Sequence, residues 1–528
     1  MQHYELLLDK FLHHAAKWHP DTEVVTGGDD GSARIGYADL LDRCNRLSGA
    51  LLALGLRFGD RLGTLAWNSQ AHMECWYAAL GVGIVCHTLN PRIGAPHLTE
   101  MILKANDRVL AVSPGQDELV AALAANCPCV EHVVVLDEPG VAFTAPPVPA
   151  RVRVWRQSDL LASHGAKVEW GGFAETANAG LCFTSGTTGA PKGVLYTHRS
   201  NYLHTLNIVQ TDVLGLSAQD NVLAVVPMFH ANAWGLPFAA PAVGAKFVLP
   251  GRRTDGARLA ELINQEAVTI AAGIPTVWLG LVDYLDRHGG ELPSLKRVLL
   301  GGSSVPEALM ERIEKRLGVV VQPSWGMTEL SPLGTVAAVN SPHRSARNSG
   351  RPCAGVDLRL VNETGSPLPQ QRSVEGRLQV KGASVLERYF EAPETAIDAE
   401  GWFNTGDLAV IDAHGNLTIT GRTKDLIKSG GEWINPGEIE AIVGAVESVG
   451  LAAVIARVDA KWTERPVLIV EARVGQTIDQ SALMRLLESQ VPRWWLPDAI
   501  IQVEKMPLAA TGKIDRMKLR QQFGQQPT

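Results

Sequence analysis

The N-terminal part of the chain switches repeatedly between two spacings of apolar positions. Tyr37–Leu56 and Gln70–Gly81 repeat apolar residues at helical spacing, whereas Arg61–Ala66 and Ile84–Thr88 are short runs of strand length. This alternation predicts an α/β architecture with parallel strands. Further strands are predicted at Val222–Val226, Lys246–Leu249, Arg297–Leu300 and Val319–Gln322. Glu138–Ala150 carries four prolines and reads as a surface loop. From Val356 onward the pattern is richer in strands, at Val356–Val361, Gly376–Val380, Ala409–Asp412 and Leu417–Thr420. A break falls at Gly421-Arg422-Thr423-Lys424. Beyond it, Asn435-Pro436-Gly437-Glu438 has the N-cap, N1 proline and N3 glutamate of a helix start. Strand patterns at Leu451–Arg457 and Val467–Arg473 and a helix at Asp479–Gln490 complete a compact α+β unit.

Composition removes several function classes. The 528 residues carry 48 Lys+Arg against 55 Asp+Glu, a net charge of −7, so there is no basic excess for nucleic acid. Seven cysteines in so long a chain make no disulfide framework. Cys127 and Cys129 lack the second ligand pair of a zinc site. No signal peptide is read at the N-terminus, and no apolar run reaches the length of a membrane span. The expectation is a protein of the reducing cytoplasm, touching membranes peripherally at most.

The densest chemistry lies in Leu181–His198, where an apolar run enters Thr184, Ser185, Gly186, Thr187, Thr188 and Gly189, then Lys192. Glycines let a backbone approach a ligand closely, and hydroxyls with one lysine supply short donors, which is what a triphosphate requires. It is not a Walker A loop, because Gly193 follows Lys192 where Ser or Thr would stand. A Gly-x-Ser-x-Gly elbow and a full dinucleotide fingerprint are also missing.

The segment TSGTTGAPKG resembles the phosphate loop of the acyl-adenylate-forming superfamily, which includes acyl-CoA synthetases, adenylation domains and beetle luciferases. Other matches follow in the family's order: Pro227–Trp234, Gly301-Gly302-Ser303, Trp325-Gly326-Met327-Thr328-Glu329, Trp402–Asp407, Gly421-Arg422, Lys428–Glu432 and Thr511-Gly512-Lys513. The resemblance implies a large N-terminal domain (1–421) of parallel-type sheets flanked by helices, with a β-barrel-like subdomain. It implies a hinge at 422–424, pivoting at Lys424, and a smaller mobile C-terminal α+β domain (425–528).

It also implies roles. Thr184 and Glu329 would hold Mg²⁺. Ser185, Gly186, Thr187, Thr188, Gly189 and Lys192 would cradle the phosphates of ATP. Trp325 would stack on adenine, in a pocket shared with Gly302, Ser303, Gly326, Met327 and Thr328. Asp407 would take the ribose hydroxyls, with Arg422 on ribose or phosphate. Lys513 would contact the reacting carboxylate and α-phosphate. His230 and Trp234 would face the acyl group, His230 also belonging to the catalytic set. Gly430, Gly431, Glu432 and Trp433 would line a tunnel for coenzyme A, the second co-substrate.

Uncharged Phe229, Ala231, Ala233 and Trp234, with no Asp to hold an ammonium, favour an apolar acid. The family reading is therefore an ATP-dependent fatty-acid–CoA ligase for medium to long chains. Its alternative is a ligase for a short thioether or aromatic acid such as 3-methylmercaptopropionate. A non-catalytic sensor on the same scaffold would have lost Lys513, Thr184 or Glu329, and all three are present. A homodimer is compatible with the resemblance.

Overall fold

A computed structural model describes residues 1–28, 31–184, 191–303, 305–430, 432–509 and 512–525. The α/β expectation holds. A seven-stranded sheet contains Arg61–Leu65, Val85–Leu89, Val109–Val112, His132–Val135, Arg153–Arg156 and Asn178–Thr184 in parallel, with Lys192–Thr197 antiparallel at one edge. A nine-stranded sheet has a parallel centre of Glu23–Gly28, Lys246–Leu249, Asn221–Ala224, Ile270–Gly273, Arg297–Leu300 and Val320–Gly326. The helix Gln70–Gly81 is buried at every residue from Ala71 on. Its start is fixed by Ser69, whose Oγ accepts from His72 N at 3.2 Å.

Several strand boundaries shift from expectation, and two of the shifts have a visible reason. Val222–Val226 stops at Ala224, because the N–H groups of Val225 and Val226 both turn onto Ala272 O as the chain approaches Pro227. Ala409–Asp412 is the tail of a longer strand, Phe403–Ile411, with strict inward alternation of Phe403, Thr405, Asp407, Ala409 and Ile411. The strands expected in the barrel-like subdomain form an antiparallel sheet of four, Val356–Val361, Glu375–Gly382, Phe403–Ile411 and Leu417–Arg422.

From Ile427 onward the chain builds a smaller domain around a five-stranded sheet, with its own apolar clusters about Ile427, Ile439, Val454 and Leu468 and about Ile455, Ile469 and Leu519. The predicted helix start is realised: Asn435 Oδ1 accepts from Gly437 N at 3.1 Å. Asn435 Nδ2 also donates to Thr420 O at 2.8 Å, so the same side chain ties the small domain to the strand Leu417–Arg422. Among the described residues no helix is long and apolar enough to cross a membrane.

Candidate active site

Several of the sequence-predicted site residues follow the C-terminal ends of parallel strands, the place where open α/β sheets hold ligands. Thr184 ends Asn178–Thr184; His230 and Trp234 follow Asn221–Ala224; Gly301–Ser303 follow Arg297–Leu300; Met327–Glu329 follow Val320–Gly326. Tyr196 O–H donates to Thr328 O at 3.0 Å and stitches the two sheets together there.

Thr184 pairs with Lys192 across the hairpin, and its Oγ1 lies 3.4 Å from Lys192 O. Lys192 Nζ stands 5.3 Å from the centre of the Tyr389 ring. Tyr389 O–H in turn donates to Glu329 Oε1 at 2.8 Å, while burial and the Glu329 charge push its phenol upward. Glu329 is buried in the short turn Thr328–Leu330. It is therefore no exposed helix-end charge. Ser185, Gly186, Thr187, Thr188 and Gly189 lie outside the described residues, as does Gly431.

A second cluster forms around Asp407. The inward phase of its strand puts a carboxylate where an apolar residue would normally stand, and Asp407 is 1% exposed. Burial raises its pKa, opposed by Arg422, by the Trp325 N–H and by Lys513. Trp325 Nε1 donates to Oδ2 at 2.9 Å, and Arg422 Nε lies 2.9 Å from Oδ1. Trp325, expected as a stacking surface, is thus a buried ring whose N–H orients the carboxylate. Gly326 is obligatory for packing: a Cβ there would stand 2.2 Å from Pro332 O. Met327 N bonds to Pro332 O on the same turn.

Lys513 reaches this cluster from the small domain. The turn that carries it bends at Gly512 (φ +80), where a Cβ would collide with Ile274 Cδ1 at 2.4 Å, and Thr276 Oγ1 donates to Gly512 O at 3.4 Å. The Lys513 stem and the Trp234 ring both pack on the Gly301–Gly302 backbone. Ser303 is exposed beside them. Burial is the main cause that lowers the Lys513 pKa to about 8; Arg422 and Lys424 add to it and Asp407 opposes it. His230, half-buried and beside Lys513, has its pKa lowered by desolvation to about 4 and is neutral at physiological pH.

Ala231, Asn232, Ala233 and Trp234 all have left-handed φ, between +45 and +57°, followed by Gly235 at +80°. Outside glycine each such residue costs about 1–2 kcal/mol, so packing must hold this turn. Lys424 is exposed just ahead of the small domain, its ammonium disfavoured by partial desolvation and by Arg422, Arg520 and Arg516 and favoured by Asp425. Gly430 and Trp433 make their contacts within the small domain. Gly430 N donates to Trp462 O at 2.8 Å, and Trp433, 48% exposed, lies under Lys428 Nζ. Glu432 pairs with Ser429. None of these bonds reaches the Lys513 cluster. Trp433 is no core residue.

Tyr389, Tyr196 and Ile274 were not singled out by sequence. Tyr389 sits in an unremarkable stretch, and only the fold brings it to Glu329. Among the described residues no group of three or more His, Cys, Asp or Glu side chains is placed to hold a metal. Glu329 with a threonine hydroxyl nevertheless suits Mg²⁺, which takes one or two protein oxygens and fills its remaining positions with phosphate and water.

Trp325→Phe keeps the buried ring and deletes the donor to Asp407. It is expected to raise KM for a ligand held by the Asp407 carboxylate about tenfold with kcat nearly unchanged, the cost of one hydrogen bond to a charged group. Steady-state kinetics check this; an unchanged KM would show that Arg422 alone orients Asp407.

Two family models match the chain: AMP-binding enzyme over residues 12–390 and AMP-binding enzyme C-terminal domain over 438–513. The chain is 39% identical to a 3-methylmercaptopropionyl-CoA ligase of Ruegeria lacuscaerulensis, covering 98% of this chain and 97% of the relative. It is 40% identical to a medium-chain-fatty-acid–CoA ligase of Ectopseudomonas oleovorans, covering 99% and 97%. The crystal structure of the anthranilate CoA ligase AuaEII with anthranoyl-AMP superposes with a TM-score of 0.87 at 24% identity, over 98% of this chain and 97% of that one, a likeness of fold.

Proposed function

The chain belongs to the AMP-binding enzyme family, and on that premise we propose that it is an ATP-dependent acid–CoA ligase working through an acyl-adenylate. The observation that carries the reading is the seating of Lys513, brought from the small domain, near Gly302 and Asp407 of the large one and Arg422 of the hinge. Two anions, a carboxylate and the α-phosphate of ATP, must meet for adenylation. Lys513 and Arg422 supply positive charge where they meet, in a crevice whose burial strengthens it.

Asp407, oriented by Trp325, accepts the ribose hydroxyls. Gly302, Ser303, Gly326, Met327 and Thr328 border the base. The loop from Thr184 to Lys192 receives the phosphates, and the hydroxyl of Tyr389 holds Glu329 in place. Mg²⁺, when bound by Thr184 and Glu329, would neutralise the leaving pyrophosphate. His230, neutral at physiological pH, borders the acyl carboxylate without adding charge. The acid is aliphatic, in keeping with the uncharged His230–Trp234 segment and with the two relatives, one named for medium-chain fatty acids and the other for a short thioether acid.

For the thioester step we assign domain bounds of 1–421 and 425–528 and a pivot at Lys424. Rotation about it would exchange Lys513 for the Gly430–Trp433 loop, which would line the CoA tunnel. The separate apolar clusters of the small domain support its moving as a unit. Cysteines that are all free agree with a reducing cytoplasm.

Product identification by mass spectrometry tests the reading. Protein, ATP, Mg²⁺, CoA and a pool of acids from acetate to palmitate, with 3-methylmercaptopropionate and cinnamate, are expected to yield acyl-CoA, AMP and pyrophosphate. Adenylate without thioester would mean a different acceptor, and no product would leave a sensor.

A further inference from the structure

The strand Leu417–Arg422 closes the large domain, and the helix Pro436–Gly444 of the small domain starts against it. Their approach leaves no room for added side chains. A Cβ on Gly421 would stand 2.4 Å from Asn435 Oδ1, and one on Gly437 would stand 2.7 Å from Thr420 O. Asn435, 5% exposed, fills the junction. The two polar atoms of its amide serve different domains. Oδ1 accepts from Gly437 N at 3.1 Å within its own helix start, whereas Nδ2 donates to Thr420 O at 2.8 Å.

The chain between these two elements is held from both sides. Thr423 N and Thr423 Oγ1 donate to Gly406 O of the large domain, at 3.0 and 3.1 Å. Asp425 Oδ1 accepts from Arg520 Nη2, on the helix Arg516–Phe523 of the small domain, at 2.9 Å. Lys424 stands between these anchors, and the bond from residue 435 to residue 420 spans it. Among the described residues one other hydrogen bond joins the domains, from Thr276 Oγ1 to Gly512 O, and it is long at 3.4 Å. A like charge works against both. Burial and the field of Glu375, on the large domain, disfavour the Glu438 carboxylate one turn into the helix. The junction is balanced, not locked.

We propose that Asn435 is the latch that holds the small domain where it presents Lys513, a positioning residue acting through that lysine, with Glu438 as its counterweight. The inference rests on the two-step reading above, in which the small domain rotates about Lys424. While the bond to Thr420 holds, Lys513 stays beside Gly302 and adenylation is favoured. Rotation breaks the bond, so its strength sets how the two arrangements are populated. One hydrogen bond shifts such a balance by about three- to tenfold, enough to bias it without freezing it.

The test reads each half-reaction of the full chain separately. Pyrophosphate exchange with octanoate or 3-methylmercaptopropionate reports adenylation, and CoA-dependent release of AMP from the synthetic adenylates reports thioester formation. Asn435→Asp keeps an N-cap acceptor but loses the donor and sets a carboxylate against Thr420 O. It is expected to slow exchange about tenfold while CoA-dependent release stays at or above the wild-type rate. Glu438→Gln keeps a residue suited to its place in the helix start and removes the repulsion. It should slow release about two- to threefold without lowering exchange. In a Lys513→Ala background, Asn435→Asp should cost no more than about twofold further, because the group it positions is gone. A merely weakened fold would multiply the two losses. Equal slowing of both half-reactions by Asn435→Asp, unchanged exchange, or full additivity with Lys513→Ala overturns the proposal, and unchanged release in Glu438→Gln removes the counterweight. A wild type that exchanges pyrophosphate with neither acid overturns instead the ligase reading on which it rests.

Discussion

Lys513→Ala is expected to slow acyl-adenylate formation by about 10²–10³-fold while leaving thioester formation from a preformed acyl-adenylate largely intact. The magnitude follows from removing one pre-aimed donor to charge that develops in the transition state. Because that interaction is made chiefly in the transition state, the loss falls on kcat more than on substrate KM. Pyrophosphate exchange reports the first half-reaction and CoA-dependent release of AMP from synthetic adenylate the second. Equal loss in both would remove the two-state arrangement.

The lowered pKa of Lys513, about 8, adds a pH signature. The ammonium is the working form, so kcat/KM for ATP should fall as pH rises through about 8 in the free enzyme. Lys513→Arg, whose guanidinium stays charged, should lack that alkaline limb even if its absolute rate is lower. The linkage has the opposite sign for docking. With its pKa depressed from 10.5 in the docked domain, Lys513 makes docking more favourable as pH rises from about 8 toward 10.5, because the undocked lysine then holds more proton. Docking and activity should therefore separate above pH 8.

Asp407→Ala should raise KM for ATP about a hundredfold, the second-largest effect expected. The substitution removes the acceptor of the Trp325 indole and leaves Arg422 and Lys513 without the carboxylate between them. Loss of a buried charged partner costs several times a neutral hydrogen bond. Asp407→Asn carries a more specific signature. Asp407 is the group that supports the Lys513 ammonium, so neutralising it should move the alkaline limb to lower pH. A limb that stays in place would show that the two side chains do not share a field, whatever the effect on KM.

Much of this was legible in one dimension. Helical spacing placed Gln70–Gly81 at its observed bounds, and the apolar runs placed Lys246–Leu249 and Arg297–Leu300 at theirs. These elements are buried between layers, where local pattern and tertiary demand agree. The motif Trp402–Asp407 marked a candidate carboxylate but hid a strand, because its polar and glycine residues mask the inward alternation that Phe403, Thr405 and Asp407 continue. Trp325 was legible as a candidate residue, whereas its hydrogen bond to Asp407, far along the chain, was not.

The sequence by itself determined the family, the kinds of group the chemistry uses and the order in which they occur, because those follow from residue type and local spacing. It also placed the helix start at Asn435, through residue types that the structure realises as an N-cap. Only the tertiary structure decided which groups meet: Tyr389 on Glu329, Trp325 and Arg422 on Asp407, and Lys513 beside Gly302. It alone decided the lowered pKa of Lys513 and the left-handed turn Ala231–Trp234. The reason is physical. Burial, charge proximity and cavity shape arise from long-range packing of strand ends and a docked domain, and no spacing along the chain encodes those distances.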